Sequence, residues 1–277
     1  MALHTQQTPH SKRPTIAEGE RKDNWLMAPL TFFLVFGFFV VWATFRTFNN
    51  DHFFIEKYNY LSPFYSPLIT LPESWKIMVL GRSLHISPSL LILPFPLTFR
   101  LSCYYYRKAL YRSFLADPLA CAVKEPKALD TMRYRKYTGE RLFPLIAVNF
   151  HRYAFFAAAI FMIFLWKDAF EACTVPATGG GIKFGFGLGT LLFFVNVSLL
   201  TAYTFSCHSW RHFVGGKVDC YSCSALSKTR YGLWQKISFL NEKHGTWAMM
   251  SLISVLVTDI YVFLVSSGVL TDLRFFN

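Results

Sequence analysis

Long apolar runs constrain the fold of this chain more than any other feature of its sequence. The first run, from Trp25 to Phe45, carries no acidic or basic residue and has roughly the 20 residues that a helix needs to cross a bilayer core. The composition agrees, since 53% of the residues are apolar and only 16% are charged, fewer than in a typical soluble domain. We therefore predict an all-α bundle of five transmembrane helices, at about residues 25–45, 87–106, 143–166, 184–208 and 245–265.

The distribution of Lys and Arg predicts how this bundle is oriented. Residues 1–24 form a polar tail with four of these cations, ahead of an anchor domain at 25–277. The loop after span two has nine and the loop after span four has six, whereas the opposite connections and the C-terminus share seven. Because cytoplasmic loops carry the excess of Lys and Arg, we place the N-terminus in the cytoplasm. We expect a multi-pass protein of the cytoplasmic (cell) membrane, in contact with membrane lipid and not with nucleic acid. No internal repeat is evident.

On this topology, Cys and His residues gather at the cytoplasmic end of the bundle. Cys103 ends span two, His151 lies early in span three, Cys207 ends span four and His244 begins span five, while Cys121 lies in a basic loop. Two thiolates and two imidazoles suit a mixed-ligand [2Fe–2S] centre. A haem would instead use one or two axial His, and zinc could also bind two Cys and two His.

Other arrangements of these residue types stay open on the sequence alone. Cys103 could be a small packed hydrophobe. His208 and His212 lie one helical turn apart, so their face could bind metal, line a quinone pocket or contact a partner subunit. Together with Cys220 and Cys223, whose CxxC spacing suits metal binding, they could also form a separate site in the second basic loop.

Two further classes of protein compete with an electron-transfer subunit. The H-x-x-x-H motif at 208–212 has the first spacing of a di-iron membrane hydroxylase or desaturase, but such sites need several His-rich boxes. A transporter would use the intramembrane charges of Arg100, Arg152 and Asp259 along a substrate path. Asp259 lies about 15 residues beyond His244, near 22 Å along a helix, and so belongs at the opposite end of the bundle.

Several stretches taken together resemble the membrane-anchor subunit of type-F succinate dehydrogenases, the actinobacterial class of respiratory complex II with a single anchor. The resemblance implies a haem-free anchor that carries a Rieske-type [2Fe–2S] cluster and passes electrons to a quinone. It also implies two partners, a flavoprotein with FAD that oxidises succinate and an iron–sulfur subunit with further clusters. The CxxC pair and the polar tail are not part of the pattern. The matching stretches are 100–109 (RLSCYYYRKA), 117–123 (DPLACAV), 135–144 (RKYTGERLFP), 149–153 (NFHRY), 206–216 (SCHSWRHFVGG) and 240–244 (LNEKH).

Carried over by position, the resemblance implies Cys103 and Cys207 as thiolate ligands and His151 and His244 as imidazole ligands. Either of the two His in 208–212 could replace one of these ligands. The alternative function is that of a haem b anchor that uses His151. The quinone, expected to be menaquinone, needs hydrogen-bond donors in an apolar pocket. The candidate donors at the right depth are Arg100, Tyr104, Arg152, Ser206, Trp210 and Arg211.

Overall fold

The computed structural model describes residues 24, 26–72, 76–79, 82–115, 141, 145–176, 181–216 and 218–276. The predicted tail before residue 24 and Cys121 lie outside these described residues. The described part of the chain is mostly helical, as predicted. Its α-helices are α1 Met27–Asn49, α2 Pro88–Ile92, α3 Pro94–Ser102, α4 Tyr104–Phe114, α5 His151–Glu171, α6 Leu188–Phe205, α7 His208–Gly215, α8 Ala225–Glu242 and α9 His244–Ser266.

Four helices in the described part of the chain are long and apolar enough to cross a membrane. They are α1, α6, α9 and the segment Ile146–Glu171, in which a 3₁₀ turn runs directly into α5. These helices correspond to the predicted spans one, three, four and five. Their lipid-facing sides carry exposed apolar residues such as Val41 and Ile163, each 68% exposed.

The predicted span at 87–106 is not one continuous helix. It breaks at Leu93, between α2 and α3, because Pro94 has no N–H for the helical hydrogen bond and its ring crowds the preceding turn. It breaks again at Cys103, whose extended backbone (ψ 131°) separates α3 from α4. Leu93 itself keeps a helical conformation (φ −60°, ψ −30°), so the interruption at Pro94 is local, whereas the extended backbone at Cys103 is a full break.

The predicted span at 184–208 has a similar break near its end. Helix α6 ends at Phe205, and Cys207, with ψ 145°, separates it from α7. The basic loop that follows contains α8, which the sequence analysis missed. Helices α7 and α8 pack as a hairpin, in which Arg230 Nε donates to the carbonyl of Val214 at 2.7 Å.

Short antiparallel ribbons correct the all-α prediction. They lie in the connections after α1 and α5 and in the segment after α9, all at the end of the bundle away from the two cysteine breaks. The paired strands are β1 Phe54–Ile55 with β2 Tyr60–Leu61, β3 Lys76–Val79 with β4 Arg82–His85, β5 Thr174–Pro176 with β6 Ile182–Phe184, and β7 Phe186–Gly187 with β8 Arg274–Phe276.

A buried ion pair ties this end of the bundle together. Arg46 Nε lies 3.0 Å from Asp259 Oδ2, and both side chains are fully buried. Trp42 Nε1 donates to the same oxygen at 2.6 Å, and Ser62 Oγ donates to the other carboxylate oxygen. Arg46 also donates to the carbonyls of residues 51 and 52. Asp259 is therefore a structural anchor between α1, α9 and the loop after α1, at the end where the sequence placed it.

Replacing Asp259 by Ala should strongly destabilise the protein, because it leaves the buried Arg46 charge without its partner. Loss of one member of a buried pair costs about 3–5 kcal/mol. Glu171→Gln is the matched control, since it breaks the exposed pair between Lys167 and Glu171, which is worth roughly 0.3–0.5 kcal/mol. Thermal unfolding of both variants measures the difference. Equal midpoints would show that the buried pair is not an anchor.

Candidate functional site

Two buried cysteines occupy equivalent positions at the two breaks. Cys103 is the N-cap residue of α4 and Cys207 is the N-cap residue of α7. They are only 3% and 1% exposed, respectively. Because each residue has an extended backbone between two helices, its side chain turns into the bundle and not along a helix surface.

Two histidines begin two other helices and bridge the breaks. His151 is the first residue of α5, with Nδ1 2.9 Å from Ser102 Oγ and Nε2 2.9 Å from Cys207 Sγ. His244 is the first residue of α9, with Nδ1 2.7 Å from Ser206 Oγ and Nε2 3.5 Å from Cys103 Sγ. Each imidazole therefore lies between the serine of one break and the cysteine of the other.

The serines determine which imidazole nitrogen carries the proton. Ser102 Oγ donates its only proton to the carbonyl of Thr98 at 2.6 Å, and Ser206 Oγ donates to the carbonyl of Tyr203 at 3.0 Å. With the hydroxyl protons directed at these carbonyls, this network assigns the imidazole Nδ1–H as the donor to each hydroxyl oxygen. Both Nε2 atoms are left with a lone pair that faces a thiol, which is the form of His that binds metals.

The two halves of the site repeat one local pattern. An aromatic ring four residues before each cysteine stacks on the bridging imidazole: Phe99 on His151, with ring centroids 4.8 Å apart, and Tyr203 on His244, at 5.1 Å. Residues 99–107 and 203–211 share the order aromatic-x-x-Ser-Cys-x-x-aromatic-Arg. The structure therefore contains an internal repeat that the sequence analysis did not find.

A buried cation lies directly beside this layer of rings. Arg100 is 7% exposed and donates to the hydroxyl of Tyr106, to the carbonyl of Ala248 and to Ser251 Oγ, the last two at 3.2 Å. Its guanidinium carbon lies 4.8 Å from the ring centroid of Tyr203. A fixed positive charge at this position stabilises negative charge in the site, such as thiolate sulfur.

The four thiol and imidazole groups face one cavity of about 560 Å³. Among the described residues, no three Cys, His, Asp or Glu side chains are grouped around one metal ion. The donors instead form two thiol–imidazole pairs, Cys207 with His151 and Cys103 with His244. Five other predicted or flanking side chains line the same cavity, namely Tyr104, Asn149, Arg152, His208 and Asn241.

The other predicted residues have different positions. Tyr104 is 62% exposed at the cavity rim. Trp210 packs against Phe155, at 5.8 Å between ring centroids, and does not line this cavity. Arg211 lies over the ring of Trp234 at 4.6 Å and also points away from the cavity.

The structure gives no support to the alternative metal site in the second basic loop. Cys220 and Cys223 are bonded to each other as a disulfide, so they offer no thiolate to a metal. His208 lines the cavity of the four donors, whereas His212, on the next turn, does not. Partial burial, with the nearby positive charge of Arg211, lowers the pKa of His208.

Sequence reasoning missed the residues that hold the donors in place. Ser102, Phe99 and Tyr203 were not singled out, although the Ser-Cys pair occurs at both breaks. Asn241 on α8 donates to the carbonyl of Ser206 at 2.7 Å and so fixes the second break. The repeated aromatic-x-x-Ser-Cys order was the available signal, but it becomes visible only when both cysteines are aligned.

The fold and this geometry define a class: a helical membrane protein with paired thiol–imidazole donors at one end of its bundle. The family model described as "Actinobacterial succinate dehydrogenase subunit SdhC" matches residues 27–268, and the chain belongs to this family. The solved structure titled "Mycobacterium smegmatis Sdh1 complex in the apo form" contains a similar chain, with 39% sequence identity and a TM-score of 0.77. The similarity covers 100% of this chain and 98% of that one. A comparison with curated proteins gave no match.

Arg100→Lys should lower the stability of the protein by about 1–3 kcal/mol, because an ammonium group cannot keep all three hydrogen bonds of the guanidinium and leaves buried acceptors unsatisfied. Arg152→Lys, the same change at an exposed position, should stay within about 0.5 kcal/mol of the wild type. Thermal unfolding of the purified protein checks both values. A wild-type midpoint for Arg100→Lys would contradict the hydrogen-bonding role given to Arg100.

Proposed function

We propose that this SdhC-type chain anchors a succinate dehydrogenase in the membrane and relays electrons to quinone through a Rieske-type [2Fe–2S] cluster. One observation carries the proposal. Cys103, Cys207, His151 and His244 present two thiols and two imidazole Nε2 atoms to one cavity, with both Nδ1 atoms already held by serines.

The donor set fits such a cluster chemically. Two Cys and two His are the ligands of Rieske-type centres. Ser102 and Ser206 act as the outer hydrogen-bond partners that orient ligating imidazoles. When bound, the cluster would supply one-electron transfer inside the membrane. The chain's own contribution is to hold the four donors, to exclude water by burial, and to place the Arg100 cation close to the sulfur ligands.

A second cavity supports the quinone part of the proposal. It has a volume of about 320 Å³ and is lined mainly by apolar side chains of α1, α2, α3, α5 and α6. Exposed apolar residues, including Phe48 and Leu97, form part of its lining, so a quinone could enter from the lipid. Arg100 lines the cavity as a charged hydrogen-bond donor. Phe99 and Tyr203 also line it, and these rings stack on the two imidazoles.

This placement revises the expected set of quinone contacts. Arg100 remains the leading donor to a quinone carbonyl, and we expect the quinone to be menaquinone. Ser206 is committed to His244, while Tyr104 and Arg152 belong to the cavity of the four donors. Trp210 lines neither cavity. The quinone ring would then lie on the membrane side of the cluster, one aromatic layer away from the imidazoles.

The remaining parts of the proposal concern partners and topology. We propose a flavoprotein with FAD and an iron–sulfur subunit as partners that dock at the end of the bundle that holds the four donors. The solved relative belongs to a complex, which supports assembly of this kind. We further propose that α2 and α3 together complete a fifth span. The N-terminus and the basic loops would then lie on the cytoplasmic side of the cell membrane.

The thiol contacts favour a cluster over haem b, the alternative cofactor. An axial haem ligand needs an imidazole nitrogen directed at an open space. Here each Nε2 lies within 3.5 Å of a cysteine sulfur, so a thiol and not an open space faces each imidazole.

Replacing His151 and His244 together by Ala should abolish quinone reduction and leave succinate oxidation by an artificial dye intact. The reason is that the flavin chemistry takes place on a partner subunit, whereas the electron path through the membrane is lost. The purified complex is assayed with both acceptors. His208→Ala combined with His212→Ala is the matched control and should retain quinone reduction. Full quinone activity in the His151 and His244 double variant would exclude the proposed ligand set.

Ser102→Ala and Ser206→Ala should each weaken cluster binding by roughly 10–100-fold, the usual effect of removing an outer hydrogen-bond partner of a ligating His. The measurement is the iron content of the purified complex after incubation with a chelator. Ser238→Ala serves as the control, because Ser238 bonds Arg211 outside the cavity. If all three variants retained iron equally, the serines would not orient the ligands.

A further inference from the structure

A third cavity lies where the first turns of α1 and α9 meet α4. Its volume is about 730 Å³, much larger than the roughly 30 Å³ that one water occupies. It lies at the same end of the bundle as the four donors but opens on another side. The quinone proposal and the proposed cluster do not involve it.

The polar lining of this cavity is cationic. Lys108 and Arg112, one turn apart on α4, both line it, and the described residues that line it include no Asp or Glu. Thr31, Ser113 and Thr246 add hydroxyl groups. Ser113 Oγ is buried and has no hydrogen-bond partner among the described residues. A buried hydroxyl without a partner next to two cations indicates that an anionic group with acceptor oxygens belongs there.

Two helix N-termini point to the same kind of ligand. The described first turns of α1 and α9 contain no acidic residue and no side-chain cap. The dipoles of both helices therefore favour an anion near these ends. Gly245 and Thr246, in the first turn of α9, are part of the cavity lining.

The rest of the lining is apolar and continues toward the lipid. Met27 is 52% exposed and Met250 is 44% exposed, and Phe32 and Met249 lie beside them. Both α1 and α9 are long enough to cross the membrane, so their first turns lie at its surface. A ligand here needs a phosphate-like head group and a hydrocarbon tail. Basic pockets between membrane helices bind lipids of this type.

We propose that this cavity binds the phosphate head group of an anionic membrane phospholipid. The site is coupled to the four donors through Tyr105, whose ring lines both cavities. A Cβ atom at position 245 would lie 2.7 Å from that ring, so α4 and the start of α9 are in close contact. A bound head group holds these two helices together, and His244 is the first residue of α9.

The test uses the purified succinate dehydrogenase complex and native mass spectrometry, with phosphatidylglycerol as the probe and phosphatidylcholine as the neutral comparison. The wild-type complex should bind one phosphatidylglycerol per copy of this chain and much less phosphatidylcholine. Lys108→Gln combined with Arg112→Gln should weaken phosphatidylglycerol binding roughly 25-fold, since each cation near an anionic lipid contributes a factor of about five. Lys228→Gln combined with Lys236→Gln removes the same charge from exposed positions on α8 and should leave binding unchanged.

Three outcomes would overturn the proposal. Equal binding of the two lipids by the wild-type complex would do so even if the α4 variant failed to assemble. If the α8 control variant weakened phosphatidylglycerol binding equally, general surface charge and not this cavity would explain the binding. A rise in unfolding temperature with inorganic phosphate that matches the rise with phosphatidylglycerol would assign the site to a free anion. Success or failure here is independent of the cluster, because none of these measurements depends on electron transfer.

Discussion

The rest of the structure depends on the hydrogen bonds by which His151 and His244 connect the two helix breaks. His151 is held by the serine of the first break and faces the cysteine of the second, and His244 is held in the opposite sense. Because the two imidazoles lie at the first residues of α5 and α9, these hydrogen bonds tie both helices to the two breaks. At each break the adjacent Ser and Cys contact different histidines.

An arginine is buried at each end of the apolar bundle, and the two arginines have different roles. At the donor end, the partners of Arg100 among the described residues are neutral, namely a tyrosine, a serine and a carbonyl. Its charge thus remains available to a negatively charged ligand. At the other end, Arg46 is neutralised by Asp259 and acts as a structural anchor. In the described part of the chain, the buried cation of the anchor end is thus paired with a carboxylate, whereas that of the donor end bonds neutral groups.

Residue type and apolar run length were sufficient to predict the coarse features of this protein. The positions of four long helices follow from the length of uncharged runs. The coincidence of Cys and His at one depth predicted a cluster of these residue types, and the choice of four candidate donors among them came from the family resemblance. The breaks at Leu93 and Cys103 were harder to predict, because apolar periodicity continues across them and only Pro94 marks one. Helix α8 was missed because it is amphipathic and basic, and we interpreted a segment of this kind between two apolar spans as a loop.

The internal repeat was missed for a different reason. Only five of nine positions match between 99–107 and 203–211, two of them by aromatic character alone, and this is too few to separate from chance in one sequence. Geometry makes the relation evident, since both Ser-Cys pairs meet an imidazole in the same way. Likewise Trp210 and Arg211 belong to a sequence motif rich in donors, but packing against Phe155 and Trp234 turns them away from both cavities.

Paired optical and EPR spectroscopy of the purified, dithionite-reduced complex tests the central claim most directly. The two thiol and two imidazole donors predict a Rieske-type [2Fe–2S] signal without a haem absorption band, and they predict that the signal disappears when His151 and His244 are replaced. A haem band without an additional [2Fe–2S] signal would contradict the account and assign the imidazoles to axial haem ligation.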